Sequence, residues 1–189
     1  MGHEIIHGFD TLGMKYDKYG NIAKFWSEKS ERAFQEKSRC FVEQYDNMTI
    51  EGTKGTVSGS KTINENIADN SGLKIAYTAF KKYELTKSER PKLVGFENFT
   101  SSQLFFIAFG SVSRNIRDIL WFYLTVNIFF QMWCYTITSE QAEYSLKIDV
   151  HSPASVRVNV AVQNSNHFAE AFNCPQGSPM NPGHKCEMW

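Results

Sequence analysis

Neither sign of charge dominates this chain. Twenty lysines and arginines face 20 aspartates and glutamates, and no strongly basic run occurs. Without such a footprint there is nothing to engage a phosphate backbone or an anionic membrane surface, so no nucleic-acid partner is expected. Cysteine is scarce: Cys40, Cys134, Cys174 and Cys186 contain no Cys-x-x-Cys pair. That spacing excludes a zinc knuckle, and the count alone leaves three disulfide pairings open. The opening Met1-Gly2-His3-Glu4 lacks both the basic segment and the long apolar run of a secretory leader. No internal repeat is present, which excludes a solenoid or a propeller.

What is present suffices for one core. With 189 residues, 42% of them apolar and 14% aromatic, the chain is globular and not disordered. Two sequons, Asn47-Met48-Thr49 and Asn98-Phe99-Thr100, are acceptors for glycans if the chain passes through the secretory pathway. Sequons without a leader predict a missing upstream segment.

The pattern along the chain predicts helices joined by long loops, with little sheet. Residues 1–10 read as the later part of a helix, and 13–21 as a turn-rich loop. Ser27, with Glu28 and Glu31, starts an amphipathic helix whose apolar side carries Ala33, Phe34, the Lys37 stem, Phe41 and Tyr45. Gly52, Gly55 and Gly59 place a loop over 46–61. A second helix is expected from about Ile63 to Tyr83, burying Ile67, Leu73, Ala76, Tyr77 and Phe80. Thr100 and Gln103 form the two ends of a capping box opening a third helix. Ser152-Pro153 predicts an N-cap and a helix-start proline before 154–162. The tail after Cys174, with Pro175, Gly177, Pro179, Pro182 and Gly183, is expected to be coil.

Two stretches carry chemistry. In His3-Glu4-Ile5-Ile6-His7, helical positions i and i+4 share a face, so both imidazoles can reach one ion. Glu4 then lies near that ion, where a carboxylate can take a proton from water. Asp10, three residues after His7, can hold that ring's second nitrogen. The alternative is an ordinary amphipathic helix with two exposed histidines. The second stretch is Glu65-Asn66-Ile67-Ala68-Asp69. A catalytic zinc takes three protein ligands and keeps one position open, so Glu65 is the candidate third ligand and Asp69, one turn on, a partner for His3. Here too an alternative stands: Thr62-Ile63-Asn64-Glu65 is also a capping box, in which Glu65 only satisfies backbone donors.

Taken in order, the motifs resemble the neprilysin and endothelin-converting enzyme family of zinc metallopeptidases. The matching stretches are Gly2 to Asp10, Tyr16-Asp17 with Gly20-Asn21, and Glu65 to Asn70 with Gly72-Leu73. Further along they are Phe105-Phe106, Trp133-Cys134, Asp149-Val150-His151-Ser152-Pro153 and Arg157-Val158. Phe172-Asn173-Cys174-Pro175 and the closing Cys186-Glu187-Met188-Trp189 complete the set. The resemblance implies a mainly α fold, the catalytic lobe of a zinc metallopeptidase with a glutamate third ligand (a gluzincin), N-terminally truncated, spanning 1–189. It implies one Zn2+ per chain held by His3, His7 and Glu65, with Glu4 as general base and then acid and Asp69 orienting His3. By the same resemblance His151 stabilises the oxyanion, Arg157 holds a substrate carbonyl, and Cys40 pairs with Cys186. Cys134 and Cys174 are left without native partners, and Asn47 matches a glycosylation position. Expected partners are peptide substrates, with an apolar residue after the scissile bond, and the missing N-terminal lobe of the same enzyme. The implied location is the extracellular face of the plasma membrane or the secreted fraction.

Two departures from the family pattern stand out. The helix bearing His3 starts only two residues before it, so its first turns are expected to be missing, with a membrane anchor and a second lobe upstream. The second is 112–131, which the family lacks: joining Ser111 to Met132 restores the pattern without a gap. Val-Ser can be encoded by a splice donor (GTAAGT) and Phe-Phe-Gln by a pyrimidine tract ending in CAG, so the segment reads as a translated intron. A membrane helix fits it less well, because Arg117 and Asp118 flank its front, Asn127 interrupts it and the apolar run is short. The competing functional readings are a catalytically inactive fragment that binds zinc or peptide without turnover, and a non-functional product of a faulty gene model.

Overall fold

A computed structural model describes residues 1–87, 92–111 and 138–189. Among them, seven α-helices carry the chain: α1 (Gly2–Ile6), α2 (Glu28–Asp46), α3 (Gly59–Leu85), α4 (Ser101–Ser111), α5 (Ser139–Ile148), α6 (Ala154–Gln163) and α7 (Asn166–Ala171). Two 3-10 turns, His7–Phe9 and Gly13–Lys15, follow α1. Among the described residues, β pairing is limited to isolated bridges such as Tyr16 with Ile22, so the expected mainly α fold with little sheet is what forms.

Side-chain oxygens set most helix starts. Ser27 accepts the amide of Ser30 at the head of α2. The expected reciprocal box opens α4, with Thr100 and Gln103 each bonding the other's backbone amide. A second box of the same kind, Thr138 with Gln141, opens α5, a helix that the hydrophobic pattern did not predict; nor did it predict the short α7.

The long helix α3 begins earlier than its apolar pattern suggests. Ser58 is its N-cap, accepting from the amide of Lys61, and the Thr62 hydroxyl donates back to the Ser58 carbonyl at 3.0 Å. Glu65 therefore lies inside the helix, beyond the first-turn amides that need a cap, and the capping alternative for Glu65 falls away. Ser152 is a second correction. It does not cap α6; its hydroxyl donates to Asn66 Oδ1 at 2.7 Å in the interior, while Pro153 alone precedes the first turn.

α3 is central, packed against α1, α2 and α6. Being wrapped on several sides, it buries Thr62, Asn66, Asp69 and Ser71 as well as Ile67, Leu73 and Tyr77. One core joins Ile6, Phe34, Phe41, Tyr45, Ile67, Val160 and Met188; a second gathers Leu73, Tyr77 and Phe106 under α4 and α7. Full burial of a side chain such as Phe41 stabilises the fold by about 1.5–3 kcal/mol. Ala33 and Ala76, expected inside, are exposed, each lying just off the stripe that its neighbours bury.

The tail after Cys174 is non-helical, as expected. It returns to α2 through a Cys40–Cys186 disulfide, the pairing that the resemblance implied, and through Lys37 Nζ, which donates to the Met188 carbonyl. Cys174 is a free thiol. Cys134 and the 112–131 segment lie outside the described residues.

Candidate metal centre

α1 is short, but together with the 3-10 turn that continues it from His7 it places His3 and His7 on one face, with their Nε2 atoms 3.0 Å apart. α3 crosses it and delivers Glu65 to the same point: Oε2 lies 3.2 Å from His3 Nε2 and Oε1 lies 3.5 Å from His7 Nε2. One ligand atom from each of the three falls within 4.8 Å of the others.

Behind each ring stands a carboxylate. Asp69 Oδ1 is 2.9 Å from His3 Nδ1, and Asp10 Oδ2 is 2.8 Å from His7 Nδ1. A carboxylate on Nδ1 keeps the proton there and turns the Nε2 lone pair inward, as metal-binding histidines require. Both carboxylates are themselves fixed. Asp10 is buried, and its Oδ1 accepts the amides of Leu12 and Gly13, each at 2.8 Å. Asp69, also buried, receives Arg157 Nε at 2.6 Å and Nη2 at 2.8 Å. Two inward imidazole nitrogens and one carboxylate, each oriented from behind, fit zinc.

The electrostatics agree. Burial depresses the His3 pKa, but hydrogen bonds to Asp69 and Glu65 outweigh it and lift the ring to about 9. Burial pushes Glu65 up, yet the His3 hydrogen bond and the charges of His151, His7 and His3 hold its carboxyl below the usual range.

A third histidine reaches the same carboxylate. His151, in the link between α5 and α6, has Nε2 3.4 Å from Glu65 Oε2 and Nδ1 2.8 Å from Asp149 Oδ1. Asp149 also accepts the His151 amide at 2.9 Å. Burial raises the Asp149 carboxyl pKa, and these bonds together with the His151 charge bring it below the usual value. Asp149 was not among the expected site residues, although an aspartate two residues before a histidine was its signal.

The asparagines flanking Glu65 were missed as well. Asn64 Oδ1 accepts from Thr11, from the amide at 3.1 Å and the hydroxyl at 2.5 Å, tying down the chain just after Asp10. Asn66 accepts from Ser152, just after His151. The residue triplet centred on Glu65 thus holds the histidine helix on one side and the His151 segment on the other.

Arg157, read as a holder of substrate, is buried, with its guanidinium on Asp69 and one nitrogen 3.4 Å from Glu65 Oε2. Glu4 is exposed beside His3 on α1, and the two sequon asparagines, Asn47 and Asn98, are exposed.

Residues 1–119 and 120–188 match the model of peptidase family M13. Endothelin-converting enzyme 1 of Rattus norvegicus is 40% identical over 189 residues, covering all of this chain and 22% of that protein. Neprilysin-21 of Caenorhabditis elegans is 38% identical over 191 residues, again covering all of this chain and 22% of the relative. Among solved structures, the zinc metalloprotease ZMP1 of Mycobacterium tuberculosis, in complex with an inhibitor, superposes with a TM-score of 0.80 at 29% identity. That match covers 100% of this chain and 26% of ZMP1. The chain thus spans about a fifth of the length of the curated relatives it matches.

Proposed function

The chain belongs to peptidase family M13, and from that premise we propose that it carries the zinc site of a metalloendopeptidase hydrolysing internal bonds of oligopeptides. The observation that carries the proposal is the convergence of His3 Nε2, His7 Nε2 and the Glu65 carboxylate, with Asp69 and Asp10 behind the two rings. His3, His7 and Glu65 would hold one zinc ion. When bound, zinc supplies a Lewis acid that lowers the pKa of water from about 15.7 to about 7 and polarises a carbonyl.

The chain's own residues do the rest. Glu4 takes a proton from the attacking water and passes it to the leaving amine, being next to a ligand and not one itself. His151, held by Asp149 through Nδ1, offers Nε2 as the donor to the carbonyl oxygen as it gains negative charge. Arg157 fixes Asp69, hence the His3 ring, and the substrate carbonyl that the resemblance assigns to it belongs to the same proposal. Peptide substrates, an extracellular or secreted location, and glycans on Asn47 and Asn98 are part of this reading. Among the described residues, no helix is long and apolar enough to cross a membrane.

The alternative reading is that the chain binds zinc or a peptide and hydrolyses nothing. Zinc content together with hydrolysis of an internally quenched peptide separates the two. Zinc with cleavage that Glu4→Gln abolishes supports the peptidase, and zinc without cleavage supports the binding fragment.

A further inference from the structure

Resting on the metal-site reading above, we infer that Gly72 is a positioning residue for the metal centre: its missing side chain sets the distance between α1 and α3 at which Glu65 meets His3 and His7. A Cβ built on Gly72 would lie 2.7 Å from the backbone nitrogen of His3, 2.9 Å from its Cα and 3.0 Å from the carbonyl carbon of Gly2. From the other side, a Cβ on Gly2 would lie 2.7 Å from the Gly72 carbonyl oxygen. The two helices touch backbone to backbone, and two of the atoms in that contact belong to His3, a candidate ligand residue.

Gly72 follows Glu65 by seven residues and Asp69 by three, so all three share one face of α3. Glu65 and Asp69 on that face bond the His3 ring at 3.2 and 2.9 Å. An added methyl on Gly72 would meet backbone atoms of α1, with no flexible side chain to give way. Ordinary contact starts at 3.4 Å, so the helices must part by roughly 0.7 Å. α3 is fixed by α2 and α6, whereas α1 is a single short helix, so α1 is the element that moves. Metal–ligand distances hold to about 0.2 Å, and a site 0.5 Å out of place no longer functions as built. Because the 3-10 turn bearing His7 continues α1, with the His7 amide on the His3 carbonyl, the two move together, the His3–His7 pair stays intact and the Glu65 ligand is the one lost.

The test is Co2+ titration of the metal-free 189-residue chain, followed by its visible d–d absorption. The Gly72→Ala chain is expected to bind at least tenfold more weakly and with an altered spectrum. Gly110→Ala, where the added Cβ meets only Val158 at 3.8 Å, is the control and is expected to bind like the parent. In a Glu65→Ala background, where the weak residual binding by the His3–His7 pair is read at high Co2+ concentration, adding Gly72→Ala is expected to change affinity less than twofold, because the contact it displaces is already gone. A general loss of stability would lower affinity equally in both backgrounds, and that outcome overturns the inference. So does parental affinity with an unchanged spectrum in Gly72→Ala. If Gly72→Ala does not fold, Gly2→Ala wedges the same contact from α1 and decides by the same criteria. A parent chain that binds no Co2+ instead overturns the metal reading itself, and this inference with it.

Discussion

Arg157 grips Asp69 with two hydrogen bonds, Nε to Oδ2 at 2.6 Å and Nη2 to Oδ1 at 2.8 Å, and both residues are buried. Asp69 Oδ1 is at the same time the partner of His3 Nδ1. The ion pair and the candidate ligand therefore form one chain of contacts, and disturbing one end is felt at the other.

Replacing Arg157 by Ala leaves the buried Asp69 charge with, among the described residues, His3 alone as its charged partner. Breaking a buried pair in this way typically costs about 3–5 kcal/mol, so a large drop in stability by urea unfolding is expected. Asp69→Ala with Arg157 retained should weaken metal binding more than Arg157→Ala, since it removes the acceptor on His3 Nδ1. Equal stability of parent and Arg157→Ala chains would show that the pair does not hold the fold.

Glu4 and Glu65 are predicted to fail in different ways. In a complete enzyme of this family, Glu4→Gln abolishes turnover and leaves zinc in place, because Glu4 moves protons and ligates nothing. Glu65→Ala loses the metal, since two imidazoles alone hold zinc poorly. Metal analysis beside a peptide-cleavage assay reads both. Zinc lost from Glu4→Gln contradicts its assigned role.

The pH dependence follows from His3. Its metal-free pKa is lifted from 6.5 to about 9. A raised folded-state pKa gives stability that is fully present below about pH 6.5 and lost as the pH rises through 9. The metal-free chain is thus expected to lose stability across that window, while zinc affinity rises as the competing proton leaves. Calorimetric titration of zinc at pH 7.5 in two buffers of different ionisation enthalpy should report release of about one proton. Binding with no proton release would show His3 to be neutral beforehand.

The 112–131 segment is predicted to be dispensable. On the reading of the segment as an insertion, its Ile119, Leu120, Trp121, Phe122, Leu124, Phe129 and Phe130 are surplus to the core, and apolar surplus of that kind favours aggregation. Deletion should raise soluble yield, and cDNA from the source should join the Ser111 codon to that of Met132. Transcripts that all retain the segment, with a deletion that folds worse, would mark it as a genuine insertion.

The site was more legible in the sequence than the fold. His3, His7, Glu65, Asp69 and Asp10 were proposed because metal chemistry asks for those residue types, with His3 and His7, and again Glu65 and Asp69, four apart on a helix, and the structure brings all five together. Asp149, Asn64 and Asn66 were missed because their work is to orient another group, and that work leaves no spacing of its own. Ser152 was misread for a related reason: a serine before a proline looks like a cap, and only the tertiary contact with Asn66 shows where its hydroxyl goes. α3 began earlier than expected because its first turn is glycine, serine, lysine and threonine, polar residues that a search for apolar periodicity passes over.

The most direct measurement is bound zinc per chain, by elemental analysis after dialysis against metal-free buffer, for the parent and for Glu65→Ala side by side. Three donors that each depend on a carboxylate or a neighbouring helix predict one zinc in the parent and little or none in the variant. A parent without zinc, or a Glu65→Ala chain that keeps its full complement, would contradict the account.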